Sequence, residues 1–144
     1  MTNVSRRTRK LPPSEYIREE LNELLANGVG RDEDLAATLK ETFSRLIVQR
    51  LLEAEQADFL GRRGRYGRRD VVQRGSRNGY EPGWLRTADN PIRVRVPQVR
   101  NSGVPYRSSL LPFLNEGPVV LDRVVLQVVA RALAGSVGEG LQDS

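Results

Sequence analysis

The chain has 144 residues, with 23 basic and 18 acidic side chains, a net charge of +5, and neither cysteine nor histidine. That length suits one ordinary domain or two small modules, and the missing residue types exclude disulfides, zinc-finger chemistry and any mechanism built on a His base or a Cys nucleophile. No run of about 18 apolar residues is present and no apolar segment follows the basic N-terminus, so the expectation is a cytoplasmic protein with no membrane span and no secretory signal.

The first thirteen residues read as a disordered basic arm. Residues 1–10 carry four basic groups and no acid, and Pro12 and Pro13 end the segment. Residues 14–60 read as a helical region. Ser14 is suited to cap a first helix in which Tyr16, Ile17, Leu21, Leu24 and Leu25 recur at helical spacing, and Asn27 with Gly28 stops it. Asp32 or Asp34 is suited to cap a second, longer helix that ends at Gly61. Leu35, Leu39, Phe43, Leu46, Ile47, Leu51 and Phe59 trace its apolar stripe, with Arg45, Arg50, Glu53 and Glu55 mainly off it. This pair is only loosely like a helix-turn-helix, and packing is the role it suits better than DNA reading. Residues 11–60 hold eleven acids against five bases. The acids read as solvated helix faces: Glu53 and Glu55 are two apart, point to different sides, and make no catalytic pair.

Residues 61–107 change character, with twelve arginines and three acids. Gly61, Gly64, Gly67, Gly75, Gly79 and Gly83 break any helix. Between them lie Arg62, Arg63, Arg65, Arg68, Arg69, Arg74 and Arg77, interleaved with Tyr66, Tyr80 and Trp84. No phosphate-binding P-loop pattern is present. Residues 92–96 alternate apolar and basic with period two, as a half-buried strand with a cationic wet face does. Residues 80–87 are its expected hairpin partner, turning at 88–91, and Tyr80 and Trp84 are expected in the core of this small sheet rather than as stacking platforms. Residues 108–144 read as a linker and a C-terminal helix over 118–134. Pro118 opens it, Gly135 ends it, and Leu121, Val124, Val125, Val128, Val129 and Leu133 face a core or a partner. The fold class is α+β: an N-terminal helical pair, a small Arg/Gly-rich β-hairpin module and a C-terminal helix.

A series of short motifs runs through this frame. Leu52-Glu-Ala-Glu55 leads to Phe59-Leu-Gly61 and Tyr66, then Gly75-Ser-Arg-Asn-Gly-Tyr80, Leu85-Arg-Thr87, Arg95-Val-Pro-Gln-Val-Arg100 and Ser109-Leu-Leu-Pro112. A helix through Leu121 and Asp122 to Ala130-Arg-Ala-Leu-Ala-Gly-Ser136 closes it. In this order and spacing the series resembles the N-terminal part of mutator-type bacterial insertion-sequence transposases, over roughly residues 40–137. The resemblance implies binding to terminal inverted repeats of double-stranded DNA in a homo-oligomer. It also implies strand cutting and joining by two Mg²⁺ ions on an Asp-Asp-Glu set. That set belongs to a catalytic domain beyond the matched segment, so no catalytic residue, cofactor or enzymatic activity is expected of this chain, which reads as truncated before that domain. Two positions depart from the family pattern: Gln98 stands where a basic residue is usual, and Asn90-Pro91 occupies a turn that usually carries a Gly.

The residues themselves agree with that implication. Arginine forks bidentately onto phosphate and onto guanine edges, and the only lysines are Lys10 and Lys40. The candidate DNA-binding set is Arg62, Arg63, Arg65, Arg68, Arg69, Arg74, Arg77, Asn78, Arg86, Arg93, Arg95 and Arg100. Arg93 and Arg95 project from one strand face and, with Arg86, form a basic ribbon. Arg77 and Asn78 suit base edges, although Asn78-Gly79 reads first as a turn. The alternatives are an RNA-binding protein, an oligomerisation module, or a merely solvated basic surface.

Overall fold

The computed structural model describes residues 11–28, 34–61, 75–88 and 90–143. Most of the expected basic arm and the arginines from Arg62 to Arg74 lie outside these residues. The described residues form four helices and a two-stranded antiparallel sheet, which is an α+β fold.

Helix α1 spans Pro13–Asn27. Pro13 stands at the first helical position, where a missing N–H removes no helical bond, and Pro12 is the N-cap residue. Ser14 is therefore not the cap. It lies buried inside the first turn, and both its N–H and its hydroxyl donate to Glu53, at 3.0 and 2.6 Å. Gly28 terminates the helix, its N–H donating to the Leu24 carbonyl.

Helix α2 spans Leu35–Leu60. Asp34 caps it, accepting from the Ala36 N–H at 3.1 Å, and Gly61 ends it in the left-handed region at φ 71°. The buried seam is not the expected stripe. Ile47 belongs to it, but Leu35 is exposed, and the seam runs through Thr42, Ser44, Val48, Gln49, Leu52, Gln56 and Leu60. The reason is that α2 is clasped from two sides. Helix α1 lies along one face, joined by Arg45–Glu20 and Arg50–Glu15 ion pairs, and the sheet lies along another. Two of the buried positions face strand backbone, which wants amides and not hydrocarbon.

Strands β1 (Ser76–Leu85) and β2 (Ile92–Arg100) pair in a register that aligns Leu85 with Ile92, Trp84 with Arg93 and Tyr80 with Pro97. The hairpin is longer than expected, and it contains a bulge: between the Arg77–Val99 and Tyr80–Pro97 pairs, Asn78 and Gly79 oppose Gln98 alone. Asn78-Gly79 is thus a bulge within a strand and not a turn, with Gly79 at φ 73°. At the open end Gly75 adopts φ 90°, and a Cβ there would lie 2.5 Å from the Arg100 carbonyl oxygen. The inward face, Leu85, Ile92 and Val94, packs with Val48 and Leu52 of α2 into the core.

A two-stranded sheet has two free edges, and isolated hairpins are marginal. Here side-chain amides close stretches of both. Gln49 donates to the Arg95 carbonyl at 2.7 Å and accepts the Arg95 N–H at 3.0 Å, as a third strand would. Further along α2's buried seam, Gln56 donates to the Gln98 carbonyl at 2.8 Å. On the β1 side Asn115 donates to the Trp84 carbonyl and accepts the Arg86 N–H, both at 2.8 Å.

Two further helices complete the core: the short α3, Leu110–Leu114, and α4, Pro118–Asp143. Helix α3 falls within the segment expected to be a linker. Helix α4 does not stop at Gly135, because a single glycine weakens a helix without ending it. Leu114 and Leu121 are buried, and Val124 and Val125 pack against the cluster.

Glu55 ties α3 to α2. It accepts from the Ser108 hydroxyl at 2.6 Å, the Ser109 N–H at 2.8 Å, the Ser109 hydroxyl at 3.1 Å and the Leu110 N–H at 3.1 Å. Glu53 and Glu55 do point to different sides of α2, as their spacing requires. They are more than solvated surface, however: each half-buried carboxylate takes backbone N–H groups at the start of another helix, where the helix dipole favours an anion. Tyr106, packed against Phe59 with ring centroids 4.8 Å apart and the planes tilted by 55°, has its phenol pushed well up by burial and by the Glu55 charge. Glu55→Ala is expected to lower stability by about 2–4 kcal/mol, since it leaves several donors unsatisfied, whereas Glu55→Gln keeps one acceptor oxygen and should lose less. Urea unfolding midpoints check this, and equal stability in all three proteins would refute it.

Candidate nucleic-acid interface

Strand alternation decides which side chains the hairpin offers to solvent. With Leu85, Ile92 and Val94 turned to the core, Tyr80, Pro82 and Trp84 of β1 share the opposite face with Arg93 and Arg95 of β2. Arg93 and Arg95 are both exposed there, as the period-two pattern predicts. Each lies over an aromatic ring: the Arg93 guanidinium carbon is 5.3 Å from the Trp84 ring centroid, and that of Arg95 is 5.8 Å from Tyr80's.

Trp84 corrects an expectation. It is not core: 52% of it remains exposed. The core place next to it is taken by Leu85, which is fully buried, and alternation leaves only the outer face for Trp84. Tyr80 is half-buried, at the junction of the hairpin with α2. Burial raises its pKa first, then the Glu53 carboxylate, with Arg77 and Arg95 opposing.

Arg77 is exposed, yet its Nε–H donates to the buried Gln56 at 3.1 Å, which fixes the guanidinium at its stem. Asn78 is exposed in the bulge beside it. Arg86 is exposed but lies one residue past the end of β1, so it extends the ribbon from the turn and not from a paired strand position. Arg100 is exposed at the far end of β2, opposite Ser76. Arg62, Arg63, Arg65, Arg68, Arg69 and Arg74 lie outside the described residues. Gln98, where a basic residue is usual, turns its amide back onto the Val96 carbonyl at 3.1 Å. Gln49, Gln56 and Asn115, which hold this face in place, escape a reading of the sequence. No local pattern marks an amide that will close a strand edge.

The two Mg²⁺ ions that the resemblance implies do not fit the described residues. No group of three or more His, Cys, Asp or Glu side chains among them converges as a metal site, and Glu53 and Glu55 are engaged by serine hydroxyls and backbone N–H groups. No helix among the described residues is long and apolar enough to cross a membrane.

These observations define a basic α+β module whose hairpin exposes a face of arginine and aromatic side chains. The chain belongs to the Mutator family of transposases, whose family model matches residues 18–134. No curated protein and no solved structure matches it.

Proposed function

We propose that this chain is a DNA-binding portion of a transposase, and that it holds the terminal inverted repeats of its element through the outer face of the hairpin. The observation that carries this reading is the state of its arginines. Arg93 and Arg95 stand exposed on one strand face and form no ion pair among the described residues, whereas Arg18, Arg45 and Arg50 on the helices are each paired with Glu15 or Glu20. Unpaired arginine on a two-stranded ribbon suits phosphate and the major groove. Arg77, held at Nε, is the residue suited to a base edge. In this reading the segment binds and positions DNA, and strand transfer is not its own chemistry.

The test is fluorescence anisotropy of a labelled duplex at several salt concentrations. With about four to six phosphates neutralised, log K should fall against log salt with a slope near −4 to −5. A slope near zero would sink the reading. Tighter binding of structured RNA than of duplex ends would favour the RNA-binding alternative.

A specific observation supports self-association alongside DNA binding. Val119, Leu126 and Leu133 of α4 are 64%, 67% and 62% exposed, and they recur at intervals of seven. That is the spacing of a helix seam that meets another helix. Light scattering at tens of micromolar is expected to find a dimer or larger species, and Leu126→Lys is expected to dissociate it. A monomeric parent protein would overturn this expectation.

A further inference from the structure

Phosphate binding asks only for charge, yet the hairpin face carries more than charge. Trp84 is the only tryptophan in the chain, and it stands on the face opposite the core with half its surface open. An exposed tryptophan on a strand is costly to leave wet, and nothing in the packing requires it there: the core beneath is filled by Leu85, Ile92 and Val94. Its ring is engaged by the Arg93 guanidinium, and Tyr80, four residues back on the same strand, repeats the arrangement with Arg95. The Trp84 carbonyl is fixed by Asn115, and the Arg95 N–H and carbonyl by Gln49, so the backbone under both pairs is held.

We propose that Trp84, with Arg93 beside it and the Tyr80–Arg95 pair as a second rung, is a stacking platform for unpaired bases, so that the face prefers DNA with a splayed or single-stranded end over an intact duplex. The chemistry follows from the geometry. Bases inside a duplex present only edges and phosphates, to which an indole face offers nothing. An unpaired base presents a π-face that stacks on the ring, while the neighbouring arginines neutralise the phosphates on either side. Strand ends that are being opened are the DNA on which such a face gains affinity. This inference rests on the DNA-binding reading above and adds the state of the DNA that is bound.

Trp84, as the sole tryptophan, reports directly on this contact. The full chain is titrated with two labelled oligonucleotides: a blunt duplex, and the same duplex with a single-stranded extension at one end. Anisotropy of the label and Trp84 emission are read in the same cuvette. The tailed duplex should bind more tightly and strongly quench Trp84, while the blunt duplex should bind with little quenching. Trp84→Ala should weaken the tailed duplex roughly tenfold or more and the blunt duplex far less, and Trp84→Phe, which keeps a π-face, should recover most of the loss. Trp84 lies outside the core cluster, so both variants should stay folded with only a small shift in unfolding midpoint, which separates lost stacking from lost fold.

Binding of both DNAs without quenching, or equal weakening of both by Trp84→Ala, overturns the stacking platform and leaves the DNA-binding reading standing. Tighter binding of an RNA version of the tailed oligonucleotide overturns it in favour of an RNA-binding face. No anisotropy change with any DNA removes the underlying reading itself.

Discussion

Replacing Arg93 and Arg95 together by alanine is expected to take about two units off the slope of log K against log salt for duplex DNA, because each arginine that meets a phosphate releases nearly one counterion. Both side chains stand on the outer face of β2, paired across the sheet with Trp84 and Pro82, and neither has a carboxylate partner among the described residues. Their removal should leave the fold intact. The core lies on the other face, and Gln49 contacts the Arg95 backbone, not its side chain. The control is Arg18→Ala with Arg45→Ala, which removes the same formal charge. Arg18 is 3.0 Å from Glu15 and Arg45 is 3.0 Å from Glu20, so those charges are already balanced locally and the slope should hardly change. Exposed pairs of this kind contribute little to stability, so the control protein should also remain folded. Salt-dependent anisotropy on one duplex decides the matter. Equal losses from the two double variants would mean that DNA senses net charge alone, and that the hairpin is not the site.

Much of this site is legible in the amino-acid sequence, because it depends on periodicity. Alternation over 92–96 places Arg93 and Arg95 on one wet face, and the turn around Asn90-Pro91 sets the partner strand. Strand parity also places Trp84. A turn at 88–91 would set Trp84 opposite Arg95, and the longer 86–91 connection that is observed sets it opposite Arg93; the parity is the same in both, and a residue opposite a wet arginine is itself wet. The expectation of a core tryptophan follows residue type where strand parity is the better guide.

What stays illegible is what holds the hairpin. Glu53 and Glu55 look like surface acids on a helix, and only the return of Ser14 and Ser108–Ser109 to that helix turns them into capping groups for other helices. Gln49 and Gln56 sit among apolar residues without any pattern of their own, so periodicity cannot draw the seam of α2 through them. A stripe built from hydrophobic residues alone is rotated away from the true one for that reason. The arginines over 62–74 are as prominent in the sequence as Arg93 and Arg95, but the described residues do not extend to them.

Gln49→Leu is expected to be among the most damaging single substitutions in the chain, although it replaces a polar residue by an apolar one of similar size at a fully buried position. Ordinarily that exchange stabilises, because burying an amide costs free energy. Here the amide is the partner of two backbone groups on the free edge of β2, the Arg95 N–H and the Arg95 carbonyl. Leucine keeps the volume and leaves both groups buried without a bond. An unsatisfied buried donor or acceptor costs about 1–3 kcal/mol, so the pair together sets an expected loss of roughly 2–5 kcal/mol. For a chain of ordinary marginal stability that is a large fraction of the total. Gln49→Glu should be as harmful, since a carboxylate still accepts the Arg95 N–H but meets the Arg95 carbonyl oxygen with negative charge. Gln49→Asn separates geometry from chemistry: it keeps both groups but is one methylene short, so the ladder should be remade only in part. Denaturant unfolding gives the ranking, with the parent above Gln49→Asn and Gln49→Asn above the other two. Hydrogen exchange at the Arg95 amide locates the effect. If Gln49→Leu unfolds at or above the parent's midpoint with that amide still protected, the edge is closed by something other than Gln49.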